Sequence, residues 1–217
     1  MIRVLLADDE GMIRAGIRAI LGTDPDIEVV AEARDGREAV ELTLSHRPDV
    51  VLLDVQMPVL DGLDAAAEIH RLAPETGVLV LTTFGEDAYI ARALGEGASG
   101  FLLKAGDPRE LLAGVHAVAD GAAYLSPRVA QRVIAELGDG RMSRAAAARR
   151  RTAELTDRER DVLALVGAGW SNAEIGRRLH LVEGTVKAYM TSILQRLGVR
   201  NRVQAAIVAH EADLVGD

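Results

Sequence analysis

The chain contains no cysteine among its 217 residues. That absence excludes disulfides, thiolate-bound metals and cysteine nucleophiles together. Its five histidines are scattered without the spacing that lets imidazoles share a metal ion. No apolar run approaches the roughly 18 residues of a membrane span. The opening MIRVLLADDE turns acidic too soon to serve as a signal peptide. A cytoplasmic protein with no membrane partner is therefore expected. No glycine-rich nucleotide loop of the familiar kinds occurs either, so nothing points to a kinase.

Hydrophobic residues make up 49% of the chain and charged residues 27%, values that fit folded rather than disordered or membrane proteins. The length allows one large domain or two ordinary ones. Net charge is −8, unevenly spread: residues 1–125 carry 10 Lys and Arg against 22 Asp and Glu, residues 126–217 carry 15 against 11. An acidic first part suits divalent cations, and a basic second part suits polyanions such as nucleic acid; two ordinary solvated surfaces would look the same by charge alone.

Short branched apolar runs alternate with helical spacing through the first 120 residues. Ile2–Ala7, Ile27–Ala33, Val50–Asp54, Val78–Thr83 and Gly100–Leu103 read as strands, each bounded by Gly, Pro or Asp. Five β-α repeats predict an α/β fold, a doubly wound five-stranded parallel sheet with helices on both faces. Asp107, Pro108 and Glu110 open the last of these helices. Ser126 and Pro127 open another, over SPRVAQRVIAEL. It gives way to RMSRAAAARRR, five arginines and four adjacent alanines in eleven residues, which reads as an interdomain linker with helical propensity. Three helix starts then follow, Thr156 with Glu159, Ser171 with Glu174, and Asn201 with Gln204, each a capping-box pair. The organisation read from the sequence is thus 1–122, 123–153 and 154–217: an α/β domain, a helix with an Arg/Ala-rich linker, and a small all-helical domain.

In a doubly wound sheet, ligands bind beyond the carboxyl ends of the strands. Those ends collect Asp8, Asp9 and Glu10 after the first strand, Asp54 at the third, Thr82 at the fourth and Lys104 after the fifth. Crowded carboxylates repel unless a cation intervenes, and Mg²⁺ with a phosphate-bearing partner resolves the conflict. Asp54 is then placed as an attacking carboxylate, and the lysine as a point charge for phosphoryl oxygens. Taken singly, Asp8 or Glu10 could equally be a turn or cap residue.

These residues carry a resemblance. LLADDE, LLDVQMPVLDG, VLVLTTF and GFLLKAGDPREL, in this order and spacing, resemble the receiver domain of two-component response regulators, whose sheet is flavodoxin-like with order 2-1-3-4-5. The resemblance implies that Asp54 is the phospho-acceptor and that Asp8, Asp9, Asp54 and the backbone carbonyl of Gln56 hold Mg²⁺. It implies that Thr82 and Lys104 bind the phosphoryl group and that Phe101 is an aromatic switch residue. Burial alone equally allows Phe101 to be core. The implied phosphodonor is a phosphohistidine on a partner sensor histidine kinase, and the only chemistry implied is the domain's own phosphorylation and dephosphorylation.

In the second part, SNAEIGRRL, a short HLV turn and a helix from about Glu183 have helix-turn-helix spacing, which would lay the second helix in the major groove. Val186, Met190, Ile193 and Leu197 form one apolar stripe; Gly184, Ala188, Thr191 and Gln195 fall opposite, with Lys187 at the flank. LTDRERDVL, SNAEIGRRL and TVKAYM resemble the LuxR-type helix-turn-helix of the NarL/FixJ class of response regulators. By that resemblance Thr185, Lys187, Ala188 and Thr191 meet double-stranded DNA, and the last helix pairs two copies into a dimer. The chain departs from the family pattern at Val182, where a capping serine is usual, and at Gln195, where a basic residue is common.

The function expected is a DNA-binding transcription regulator switched by Mg²⁺-dependent phosphorylation of Asp54, which promotes dimerisation and DNA binding. Three alternatives stay open on the sequence: a phosphorylation-independent regulator whose first domain is a dimerisation scaffold, a helical half that binds protein, and an aspartate-nucleophile phosphohydrolase. Gln56 speaks against the last, because such enzymes carry a second acid two residues after the nucleophile.

Overall fold

Four of the five expected strands have the expected bounds, β1 (Ile2–Ala7), β2 (Ile27–Ala33), β3 (Val50–Asp54) and β5 (Gly100–Leu103), and β4 runs Gly77–Thr82. They are seen in a computed structural model that describes residues 1–82, 98–104, 106–127, 129–130 and 141–215. All pairings are parallel, in the order β2-β1-β3-β4-β5, and a sixth strand, β6 (Tyr124–Leu125), adds to the edge by pairing with Gly100 and Phe101. Two residues are too few to show a period, so β6 was invisible in the sequence. It exists because the β5 edge offers it partners.

β3 is buried at every residue, as its unbroken apolar run requires. Alternate side chains serve opposite faces. Val4, Leu6, Val50, Leu52, Leu79, Leu81 and Leu102 pack with Ile17 and Leu21 of helix α1 (Gly11–Leu21) and with Leu111, Val115 and Val118 of helix α4 (Pro108–Ala119). Helices α2 (Gly36–His46) and α3 (Gly62–Leu72) pack together, α2 also on β1 and β2 and α3 on β3 and β4. Asp35 and Asp61 cap them, accepting from the backbone N–H of Glu38 and Asp64. The helix expected over SPRVAQRVIAEL lies, after its first residues, outside the described residues.

Contacts divide the chain into two compact units, 1–119 with 124–130 and 120–123 with 131–217. In the second unit the Arg/Ala-rich stretch forms helix α5 (Arg141–Ala153). Ala148 and Thr152, one turn apart, are buried, and Ala148 joins the same core as Leu155, Val162, Leu163 and Ile193. One small alanine and one threonine among arginines were too slight an apolar stripe to read. Helices α6 (Asp157–Gly167), α7 (Asn172–Leu179), α8 (Glu183–Leu197) and α9 (Arg202–Glu211) complete the unit. Both Thr156–Glu159 and Ser171–Glu174 are full capping boxes. At α9 Asn201 accepts from the Gln204 N–H, while Gln204 Oε1 takes the N–H of Arg200 instead. The small residues of α9 pack against its own unit: Ala209 is buried, and a side chain on Gly167 of α6 would meet its Cβ at 2.9 Å.

Glu159 does more than close a cap. Its Oε2 accepts from Thr156 N at 2.8 Å and Thr156 Oγ1 at 2.9 Å; its Oε1 accepts from Ser192 Oγ of α8 at 2.6 Å and lies 3.4 Å from Arg196 Nε. Glu159→Ala is expected to cost the helical unit about 2–3 kcal/mol in urea unfolding, the sum of a cap and a buried hydrogen bond to a charged group. Burial works to raise the Glu159 pKa, but the Ser192 and Thr156 hydrogen bonds and Arg196 outweigh it and hold the carboxyl below its ordinary 4.5. Its stabilisation is therefore complete above 4.5 and lost as the pH falls through the lowered folded value. Midpoints for wild type and Glu159→Gln measured down an acid series should converge there.

Candidate functional site

Lys104 bridges the ends of β1 and β3. Lys104 follows β5 and its ammonium lies 2.7 Å from Asp8 Oδ2 and 2.9 Å from Asp54 Oδ2. All three side chains are nearly sealed from water: Asp8 is 0%, Asp54 4% and the Lys104 side chain 6% exposed. Asp8 Oδ1 accepts the Glu10 N–H at 2.9 Å, and the Gln56 N–H donates to the Asp54 carboxylate. Thr82, buried at the end of β4, takes the Lys104 N–H on its carbonyl at 2.8 Å, which fixes where the lysine leaves the sheet. Phe101 is in the core at 1% exposure, its neighbours across the sheet being Val80 and Leu125.

The charges explain each other. Burial raises the Asp54 pKa; the hydrogen bond and charge of Lys104 oppose it, Asp8 adds repulsion, and the net shift is upward. For Lys104, burial pulls the pKa down, but hydrogen bonds and attraction to Asp8 and Asp54 outweigh it, and the ammonium is held charged. One cation thus faces two buried carboxylates, with two more acids beside them. Ligand oxygens of Asp8, Asp9 and Glu10 lie within 4.8 Å of one another, Asp9 and Glu10 being exposed. Apart from the ammonium, nothing among the described residues pairs with the sealed Asp8 Oδ2. An all-oxygen, acid-rich cluster with an underused buried oxygen fits a hard divalent cation. Asp54 stands outside that tight trio and joins it through Lys104 and Asp8.

Helix α1 and the loop after β3 frame the cluster. Arg14 of α1 donates to the Asp8 carbonyl at 2.7 Å and sits 3.4 Å from Glu32 of β2. Arg18 also pairs with Glu32. Arg14 thereby ties the acidic loop to the neighbouring strand, a role with no local signal because it needs β2 to lie beside β1. After Asp54 the chain folds back so tightly that Gly62 donates to the Val55 carbonyl at 2.9 Å. Val59 in this loop has φ +67° and is 82% exposed.

In the helical unit, Val186, Met190, Ile193 and Leu197 are all buried, and Gly184, Lys187, Ala188, Thr191 and Gln195 are exposed, with Thr185 half-buried. Val182 starts α8 without a side-chain cap and is 74% exposed. Glu183 lies 3.2 Å from Lys187 one turn on. Arg177 and Arg178, exposed at the end of α7, add positive charge close to the turn in sequence and were not singled out before.

Both parts of the chain match known protein families. Residues 4–116 match the response regulator receiver domain family, and residues 153–209 match the bacterial regulatory proteins of the luxR family. The chain belongs to the response regulators. It is 40% identical to the transcriptional regulatory protein LiaR of Bacillus subtilis over 218 residues, covering 99% of this chain and 100% of LiaR. It is 35% identical to the nitrate/nitrite response regulator NarL of Escherichia coli over 208 residues, 96% of this chain and 94% of NarL. Among solved structures, the response regulator ChrA of a heme-sensing two-component system is 35% identical, covering 99% of this chain and 98% of ChrA, with a TM-score of 0.55. The receiver domain of a NarL regulator from Mycobacterium tuberculosis is 39% identical, covering 55% of this chain and 97% of that domain, with a TM-score of 0.54. This response regulator is accordingly a DNA-binding transcription regulator of a two-component system. No helix among its described residues is long and apolar enough to cross a membrane.

Proposed function

We propose that Asp54 accepts a phosphoryl group from a phosphohistidine of a sensor kinase, and that this event controls dimerisation and DNA binding by the helical half. The observation that carries the reading is the Asp8–Lys104–Asp54 bridge at 2.7 and 2.9 Å in a buried pocket at the strand ends. A carboxylate oxygen of Asp54 attacks phosphorus, the P–N bond to the imidazole breaks, and the electron pair leaves on that nitrogen as the P–O bond of an acyl phosphate forms. Lys104, already beside Asp54 Oδ2, shifts its ammonium from carboxylate to phosphoryl oxygen, and the Thr82 hydroxyl lies on the same edge to bind another. Mg²⁺, when bound, neutralises charge on phosphoryl oxygens. Asp8, Asp9 and Asp54, with the Gln56 carbonyl, would hold it, and Glu10 adds a further carboxylate beside Asp8 and Asp9. Phe101 packs the sheet beside this edge.

Residues 1–122 form the receiver in this reading and 154–217 the DNA-binding domain; of the 123–153 segment between them, β6 adds to the receiver sheet and α5 to the helical core. Thr185, Lys187, Ala188 and Thr191 of α8 meet the major groove, and α9 pairs two copies on two half-sites. Treatment with acetyl phosphate and Mg²⁺ should add one phosphoryl group to wild type by intact mass, mapped to the peptide holding Asp54. Asp54→Asn should gain none. An unmodified wild-type mass, or equal labelling of the variant, would sink the proposal.

A further inference from the structure

The first three turns of α8 expose methyls and polar groups that are already engaged with one another. Thr191 is exposed, but its hydroxyl already donates to the Lys187 carbonyl at 3.1 Å, which leaves the γ-methyl as the free group. Ala188, one turn before it, is exposed and ends in a methyl. Lys187 has its ammonium 3.2 Å from the Glu183 carboxylate. Val182 heads the helix at 74% exposure with two methyls and no hydroxyl. On the exposed Gly184, Ala188, Thr191 and Gln195 face the one side chain able to form the bidentate pairs that read guanine or adenine is Gln195, a turn beyond Thr191 and away from the N-terminal turns that meet base edges in this motif. An apolar group in the major groove has one specific counterpart there, the C5 methyl of thymine.

We infer that Ala188 and Thr191 make this regulator read thymine by its C5 methyl, so that its half-sites are distinguished by methyl contacts. The inference rests on the reading that α8 enters the major groove. Glu183 sharpens it: its carboxylate neutralises Lys187 and repels phosphate, lowering the share of affinity that is indifferent to sequence.

The test uses the full chain, treated with acetyl phosphate and Mg²⁺, and the duplexes it retains from a random-sequence pool. Each thymine in a retained half-site is replaced in turn by deoxyuridine, which removes only the methyl. At one or two positions per half-site the affinity should drop about three- to fivefold, the worth of one buried methyl. Thr191→Ser keeps the hydroxyl and loses the methyl; at one of those positions it should bind the thymine and uracil duplexes equally. Replacing cytosine by 5-methylcytosine in a thymine-to-cytosine variant of that position should restore part of the loss. Affinity indifferent to uracil at every position, with a loss on replacing guanine by 7-deazaguanine, would overturn the inference and leave α8 in the groove. Absence of any retained, salt-sensitive duplex would overturn the groove reading itself and the inference with it.

Discussion

Gly62→Ala should lower the melting temperature of the receiver by about 10 °C, whereas Gly16→Ala, the same change on another helix, should raise it slightly. A Cβ at Gly62 would stand 1.8 Å from the Asp54 carbonyl oxygen, 2.8 Å from its carbon and 3.0 Å from Val55 Cα. All three are backbone atoms, and no rotamer relieves the clash. The loop must open where β3 hands over to α3, at a cost of about 3 kcal/mol, the upper end for overpacking, which at this domain size is worth about the stated drop. Because the colliding atom belongs to Asp54, the strain would also move its carboxylate, and under the proposed function phosphorylation should slow in any molecules that still fold. At Gly16, inside α1, an added Cβ meets nothing within 4 Å. Alanine there gains about 0.5–1 kcal/mol from the unfolded state and from helix propensity. Differential scanning of both variants checks the pair, and destabilisation of equal size at the two sites would contradict the steric account.

Lys104→Met is expected to be strongly destabilising without divalent cation and to be rescued by it. The substitution leaves Asp8 and Asp54 buried together with no counter-charge, and breaking a buried pair this way costs about 3–5 kcal/mol. The ammonium also competes with any cation for Asp8 Oδ2 and Asp54 Oδ2. Its removal frees both oxygens, so Mg²⁺ should bind the variant more tightly than the wild type and restore much of the lost stability by mass action. Urea unfolding in chelator and in a Mg²⁺ series measures both effects. Equal Mg²⁺ dependence in the two proteins would show that Lys104 does not share the cation's oxygens.

The sheet was legible because its signal is local: runs such as Val50–Leu53 are continuous and branched, and Gly, Pro and Asp bound them. The caps were legible for the same reason. Thr156 and Ser171 need only a glutamate three residues on, and Val182 announced a missing cap by lacking a side-chain oxygen. The site was legible in outline because a parallel sheet brings strand ends together by topology alone. What stayed hidden depends on partners distant in sequence. Lys104 could be placed at the edge, but its bridge between Asp8 and Asp54 needs the geometry of three strands. Arg14 reads as an ordinary helix residue until Glu32 and the Asp8 carbonyl are beside it. Glu159 looked like a cap and is also the acceptor for Ser192 of α8. Nothing local in NRVQAA marks Arg202 as buried, yet its guanidinium lies against Asn172 Oδ1 at 2.9 Å and the Trp170 carbonyl. Burial lowers its pKa to about 10.

The central question is whether a phosphoryl group on Asp54 reaches the helical half. DNA affinity of the full chain, measured on its own selected duplex with and without acetyl phosphate and Mg²⁺, asks this most directly. Wild type should bind at least tenfold more tightly after treatment, about 1.4 kcal/mol of coupling, and Asp54→Asn should not respond. Affinity that is unchanged by treatment in wild type, or that rises equally in Asp54→Asn, would contradict it.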